Sequence, residues 1–196
     1  MEWTDEGFVV GSKTFGEAKR IVTLLTAEHG LWRGMWYGRS ALLFLGMRSL
    51  VSWKGKTPDH LGTFSVQDLL PQPLSESFIF LSALSWMAYV CCHVLPERLP
   101  VKEVYPCLQV ALEHGTLDGK VSCCFQSVAY FEACLLCALG YESGPLVRFL
   151  QTWQQTAVAK QQVTYQGQLF QEFWPHLKVL HQKRQKFWIL NKDLDK

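Results

Sequence analysis

The side chains with the widest chemical scope lie between Leu24 and Ser40, LLTAEHGLWRGMWYGRS. Arg33 and Arg39 can meet phosphate oxygens, and Trp36 and Tyr37 can stack on flat rings. That combination holds single-stranded nucleic acid without sequence readout. Lys19, Arg20, Arg48, Lys54 and Lys56 supply further cations on either side. The plain alternative is a barrel strand whose aromatics are core and whose charges are solvated. Other constellations fail on spacing. Gly55-Lys56-Thr57 has Leu50 where a phosphate loop needs its first glycine, and Gly11-Ser12-Lys13-Thr14 separates glycine from lysine. Cys134-Leu135-Leu136-Cys137 has the spacing of half a zinc site, but its spacer is apolar and helical in pattern. Cys123 and Cys124 would lie two to three helical turns away, about 15 Å, too far to share an ion. These thiols, and Cys91-Cys92-His93, read as small core residues. The histidines accompany no nucleophile elbow and no paired-carboxylate motif, and His29 reads as a turn residue. The sequence therefore predicts no catalytic residue, no metal and no cofactor.

The elements that must present the basic and aromatic residues are strands. Arg20, Val22 and Leu24 alternate with Ile21, Thr23 and Leu25, and Leu31, Arg33, Met35 and Tyr37 alternate with Trp32, Gly34, Trp36 and Gly38. Glu28-His29-Gly30 joins the two arms into a hairpin, and Gly34 and Gly38 leave room for another backbone or a ligand. Gly7–Val10 reads as a preceding strand ending near Gly11, Arg48–Lys54 as a fourth and Leu61–Gln67 as a fifth. Five short strands in this space suggest an oligonucleotide/oligosaccharide-binding (OB) barrel. After Pro71-Gln72-Pro73 the pattern turns helical. One helix is capped by Ser75 or Ser77 and ends before Pro96, and a second starts near Pro106 and closes at Gly115. A third spans Val121–Leu139 with Phe125, Val128, Phe131, Leu135 and Ala138 inward and a cap at Gly140. A fourth starts at Pro145, and a last one near Phe170 or Pro175 ends in Lys183, Arg184 and Lys186. The expected fold class is α+β, a five-stranded OB barrel over residues 1–72 followed by an all-α domain over residues 73–196 that docks partners.

Composition sets limits. In 196 residues, 48% are hydrophobic and 18% charged, which permits buried cores and excludes the disordered class. A net charge of +2 means that any basic surface is local. The start, Met1-Glu2-Trp3-Thr4-Asp5-Glu6, is acidic where a secretory leader is basic, and seven cysteines make an odd number, so a reducing cytoplasm is expected. Ser77–Leu95 passes nineteen residues without a formal charge, near the length of a membrane span. Its serines, Trp86, His93 and the lack of a flanking basic cluster favour a helix buried on most sides, so no membrane is expected.

Three pieces then combine: Trp3-Thr4-Asp5-Glu6-Gly7; Thr26-Ala27-Glu28-His29-Gly30 with Gly34 and Gly38-Arg39-Ser40; and His60-Leu61-Gly62-Thr63-Phe64. With Phe131-Glu132, Leu135-Leu136 and Leu139-Gly140-Tyr141, they give a chain that resembles the RecO family of recombinational DNA-repair mediators. The resemblance implies a barrel followed by a helical domain and a non-enzymatic role in the bacterial cytoplasm. That role is binding single- and double-stranded DNA, annealing complementary strands, and working with RecR and single-strand binding protein to load RecA. Two departures stand out. After Ser40 the family's basic loop is replaced by Ala41-Leu42-Leu43-Phe44, which implies weaker DNA binding. The zinc-ribbon-like insert of many members is missing, which implies a shortened member. A second reading is an adaptor of little DNA affinity that docks RecR or the tail of single-strand binding protein.

Overall fold

The computed structural model describes residues 1–16, 19–37, 43–57, 60–72, 75–116, 121–141 and 144–159. Five strands, β1 (Glu2–Thr14), β2 (Arg20–Thr26), β3 (Gly30–Trp36), β4 (Arg48–Lys54) and β5 (Gly62–Leu69), form a closed barrel in the order β1-β2-β3-β5-β4. This is the OB arrangement expected from the alternating patterns. Four helices follow among the described residues: α1 (Phe78–Val94), α2 (Val104–Thr116), α3 (Val121–Ala138) and α4 (Gly144–Ala159). The helix expected near Phe170 or Pro175 lies outside the described residues.

β1 is longer than its apolar core suggests. It runs through Gly11, which marks a register shift between Val9 and Gly11 and not a strand end. A bulge of this kind bends a strand so that it can serve two neighbours. Glu2–Phe8 pairs with β4, and Gly7–Thr14 pairs with β2. Among the described strands, the one parallel pair in the barrel is β3 with β5, over Gly34–Trp36 and Gly62–Phe64.

Aromatic rings fill the barrel. Trp3, Trp32, Trp53 and Phe64 pack with Val9, Val22, Leu24, Trp36, Leu43, Met47 and Val51. Trp53 is fully buried, with ring centroids 4.8 Å from Trp32 and 5.9 Å from Trp3. Glycines make the space for these rings. A Cβ at Gly62 would lie 2.3 Å from the Trp53 ring, and one at Gly34 would lie 2.6 Å from Phe64. Gly34 therefore opens onto the core and not onto a ligand. Leu43, from the apolar loop read as a defect in a basic surface, is a core residue, whereas Phe44 is exposed.

One compact unit spans Met1–Phe131 and a second Glu132–Lys196. In the first, α1 packs on β1, and Cys92 Sγ donates to the Val10 carbonyl at 3.4 Å. α1 is not buried on most sides. Phe80, Leu84, Met87, Ala88, Val90 and Cys91 face inward, while Phe78, Leu81 and Tyr89 are exposed. Among the described residues no helix is long and apolar enough to cross a membrane. In the second unit, Gly140 takes φ +84° and caps α3, with Tyr141 N donating to the Leu136 carbonyl at 2.9 Å. In α3, Phe131 and Leu135 are buried as expected, but Phe125 is exposed. The packed face of α3 mixes large residues, Tyr130, Phe131 and Leu135, with small ones, Cys123, Cys124, Ser127, Ala129 and Ala133.

Candidate nucleic-acid interface

The hairpin of β2 and β3 turns at Glu28-His29-Gly30, and a carboxylate from the start of the chain holds that turn. Asp5 Oδ2 accepts from the backbone N–H of Glu28 at 2.9 Å and of His29 at 3.2 Å, and lies 2.9 Å from His29 Nδ1. Asp5 Oδ1 accepts from Glu6 N at 2.8 Å. Trp3 stacks on the His29 ring at 4.3 Å, and Trp32 Nε1 donates to the His29 carbonyl at 2.7 Å. The Asp5–His29 pair has the look of a catalytic dyad. Its other bonds are to the main chain, two to the turn and one to Glu6 on β1, so its role is to set the corner of the hairpin.

From that corner β2 and β3 run to the opposite end, where Arg20 pairs with Trp36. Side chains alternate. Val22, Leu24, Trp32 and Trp36 point into the barrel. Lys19, Ile21, Thr23, Arg33, Met35 and Tyr37 have the opposite parity and form the outer face. The expectation that Trp36 stacks on bases is corrected by this parity: its ring is 7% exposed and belongs to the core. Tyr37 is 57% exposed, and Lys19 Nζ lies 5.5 Å from its ring centre.

The remaining cations differ in their engagement. Arg48 is half-buried, and its guanidinium donates to Glu6 Oε2 at 2.7 Å and to the Tyr105 hydroxyl at 3.2 Å. Burial opposes its charge, but the bonds to Tyr105 and Glu6 outweigh this and raise its pKa. Burial also pushes the Tyr105 phenol up to about 12. Arg48 is thus a tie between the barrel and α2, and its expected phosphate contact is withdrawn. Arg33 is paired with Glu97 at 2.7 Å, and Lys54 with Glu2 at 3.3 Å. Lys54 and Glu2 are both well exposed, so this pair holds Lys54 only weakly. Lys56 is exposed, Arg20 is half-buried, and Arg39 lies outside the described residues.

Two further residues stand beside this set. Lys13 stands one residue before the end of β1, opposite Ile21, and Phe15, 56% exposed, occupies the loop between β1 and β2. Phe15 N donates to the Lys19 carbonyl at 2.8 Å, which closes that loop. From sequence alone Phe15 has no assigned role, and Lys13 only a place in a failed phosphate loop. Their signal was topological. In OB barrels the β1–β2 and β4–β5 loops flank the ligand face of β2 and β3, and Lys56 sits on the second of these loops. Among the described residues, Lys13, Lys19, Arg20 and Lys56 are in no ion pair. The arrangement can therefore offer three solvated cations, Lys13, Lys19 and Lys56, and two exposed rings along one outer face, whereas Arg20 has the parity of Val22 and Leu24 and is half-buried at the end of the barrel. Such a set can neutralise a phosphate backbone and stack bases, with nothing built for base-edge readout.

Comparison with known proteins agrees with the fold. The family described as Recombination protein O N terminal matches residues 1–71. The chain is similar to "DNA repair protein RecO" of Bradyrhizobium diazoefficiens, 33% identical over 152 residues that cover 72% of this chain and 58% of the relative. It is similar to the protein of the same name from Brucella abortus, 34% identical over 121 residues, covering 58% of this chain and 49% of the relative. A third similar protein, again named "DNA repair protein RecO", is that of Rhodopseudomonas palustris, at 31% over 148 residues. The chain thus spans about half the length of the relatives it matches. Barrel topology, corner geometry and these likenesses lead to one assignment: the chain belongs to the RecO family.

Proposed function

We propose that this protein binds DNA as a recombination mediator in bacterial DNA repair. It holds single strands on the outer β2–β3 face, anneals complementary strands, and assists RecA loading in the cytoplasm together with RecR and single-strand binding protein. The barrel, residues 1–72, is the DNA-binding part, and the helical part, residues 73–196, docks partners. The observation that carries this reading is the Lys19–Tyr37 pair at the end of the face, flanked by Lys13 and Phe15 on one loop and Lys56 on the other. Arg20, Lys54 and, from the matched motif, Arg39 extend the cationic line. Stacking on an exposed ring is worth about 1–3 kcal/mol per base. Replacing Phe15 and Tyr37 together by Ala is thus expected to weaken oligo-dT binding by at least about tenfold and to slow annealing. Unchanged affinity would remove both rings from the site.

A specific observation favours the adaptor as a second reading. α1 carries a shallow groove of about 560 Å³ lined by Phe78, Leu81, Ser82, Ser85, Trp86 and Tyr89. A protein that binds RecR or the tail peptide of single-strand binding protein, yet neither binds nor anneals DNA, decides for the adaptor.

A further inference from the structure

We propose that Glu97 is an internal stand-in for a nucleic-acid phosphate on Arg33, so that DNA must displace it before using the whole β2–β3 face. This rests on the DNA-binding reading above and adds its regulation. β5 takes only the Gly34–Trp36 part of β3, and the segment that follows α1 lies along the rest. Glu97 forms a parallel bridge to Leu31, and Arg98 N donates to the Leu31 carbonyl at 2.8 Å. Two backbone features allow this approach. Gly30 has φ +77°, and a Cβ there would lie 2.3 Å from the Leu99 carbonyl oxygen. Arg98 takes the left-handed region at φ 62°, the one such non-glycine among the described residues, with its guanidinium 5.7 Å from the Trp32 ring centre. Strain of this type persists only where the surroundings enforce it.

The consequence is chemical. The strap delivers Glu97 Oε1 to 2.7 Å from Arg33 Nε, on the outer face that also carries Lys19 and Tyr37. The side chains of Arg33 and Glu97 are 54% and 35% exposed, so the pair meets solvent and can exchange. A carboxylate in this place occupies the donors that a phosphate would take and adds a negative charge to the path of the backbone. The strap itself is held by main-chain bonds, which a change of the Glu97 side chain leaves in place.

The test is a four-way comparison on the full chain: wild type, Glu97→Gln, Arg33→Gln and the double variant. Each is titrated with labelled oligo-dT between about 50 and 200 mM salt. Glu97→Gln is expected to bind about fivefold tighter at low salt, with a log–log salt slope steeper by about 0.7, the increment of one added phosphate contact on a single strand. Arg33→Gln is expected to cost at least about threefold more affinity in the Glu97→Gln background than in the wild-type background. Glu97→Ala, read alongside thermal unfolding, must give the same gain, which excludes an effect peculiar to Gln. Wild-type binding with no gain in Glu97→Gln overturns this inference alone, as does a gain that survives the loss of Arg33. Failure of all variants to bind overturns the DNA-binding reading and this inference with it.

Discussion

Replacing Asp5 tests whether two of the motifs that carry the family likeness, Trp3–Gly7 and Thr26–Gly30, are one structural device. Its carboxylate accepts four hydrogen bonds, one on Oδ1 from Glu6 and three on Oδ2 from Glu28 N, His29 N and His29 Nδ1. Asp5 is 8% exposed, so these donors lose a partner that water replaces only in part. Hydrogen bonds to a charged group contribute about 1.5–3 kcal/mol each, and bonds that share one acceptor are not additive. Asp5→Ala is expected to cost about 3 kcal/mol. Asp5→Asn can keep its carbonyl toward the turn but then sets its NH2 against Glu6 N–H, so about 1–2 kcal/mol is expected. With a urea m-value of about 2 kcal/mol/M, the Ala variant should unfold at about 1.5 M less urea. Tryptophan fluorescence is a suitable probe because Trp3 stacks on His29 and Trp32 bonds to its carbonyl. An Ala variant within about 0.5 kcal/mol of wild type, or an Asn variant worse than Ala, would refute the reasoning.

Three further outcomes are expected. Gly30→Ala meets a left-handed backbone that costs about 1–2 kcal/mol for a non-glycine residue. It also meets the Leu99 carbonyl oxygen 2.3 Å from its Cβ, so thermal unfolding should show a loss above about 3 kcal/mol. Trp36→Phe should lower stability by about 1–2 kcal/mol, because it trims a buried ring, and should leave the salt slope of DNA binding as it was. Oligo-dT affinity at fixed salt, which stacking on bases sets, should also hold, and a loss there in the folded variant would return Trp36 to the surface. For pH, Tyr105 has its folded pKa raised to about 12 by burial, above an unfolded value of about 10. Its contribution to stability is full below about pH 10 and is lost as pH rises towards about 12, so Tyr105→Phe should flatten that alkaline loss.

Much of the barrel was legible because period-two alternation is local. β4 has the bounds read from the pattern, and β2 and β3 fall within a residue of them. Alternation divides a strand into two faces without saying which is inside. In Leu31–Tyr37 both faces carry apolar residues, and the matter is decided by Phe64, whose ring fills the space at Gly34. That contact comes from another strand and leaves no local mark. The same holds for cations. Arg33, Arg48 and Lys54 read alike along the chain, but Glu97, Glu6 and Glu2 engage them from distant positions. On α3 the expected stripe followed large side chains alone, whereas the buried face also takes in small ones such as Cys124, Ser127 and Ala129, and Phe125 lies outside it.

The residues that carry the family likeness also prove to be builders of the fold. Asp5 holds the corner at Glu28 and His29, and Gly62 admits Trp53 as Gly34 admits Phe64. These motifs explain why the barrel is recognisable, while the proposed DNA contacts, apart from Arg39, lie on residues outside them. Recognition of the family and location of the site are therefore separate inferences. They answer to different experiments.

The most direct test of the DNA-binding reading is the salt dependence of oligo-dT affinity for the wild type and for a triple Lys13, Lys19 and Lys56→Ala variant. Each cation that leaves the site should flatten the log–log slope by about 0.7, hence by about 2 for the triple change, with unfolding unaltered. A wild-type slope near zero, or a triple variant that keeps the wild-type slope, would contradict it.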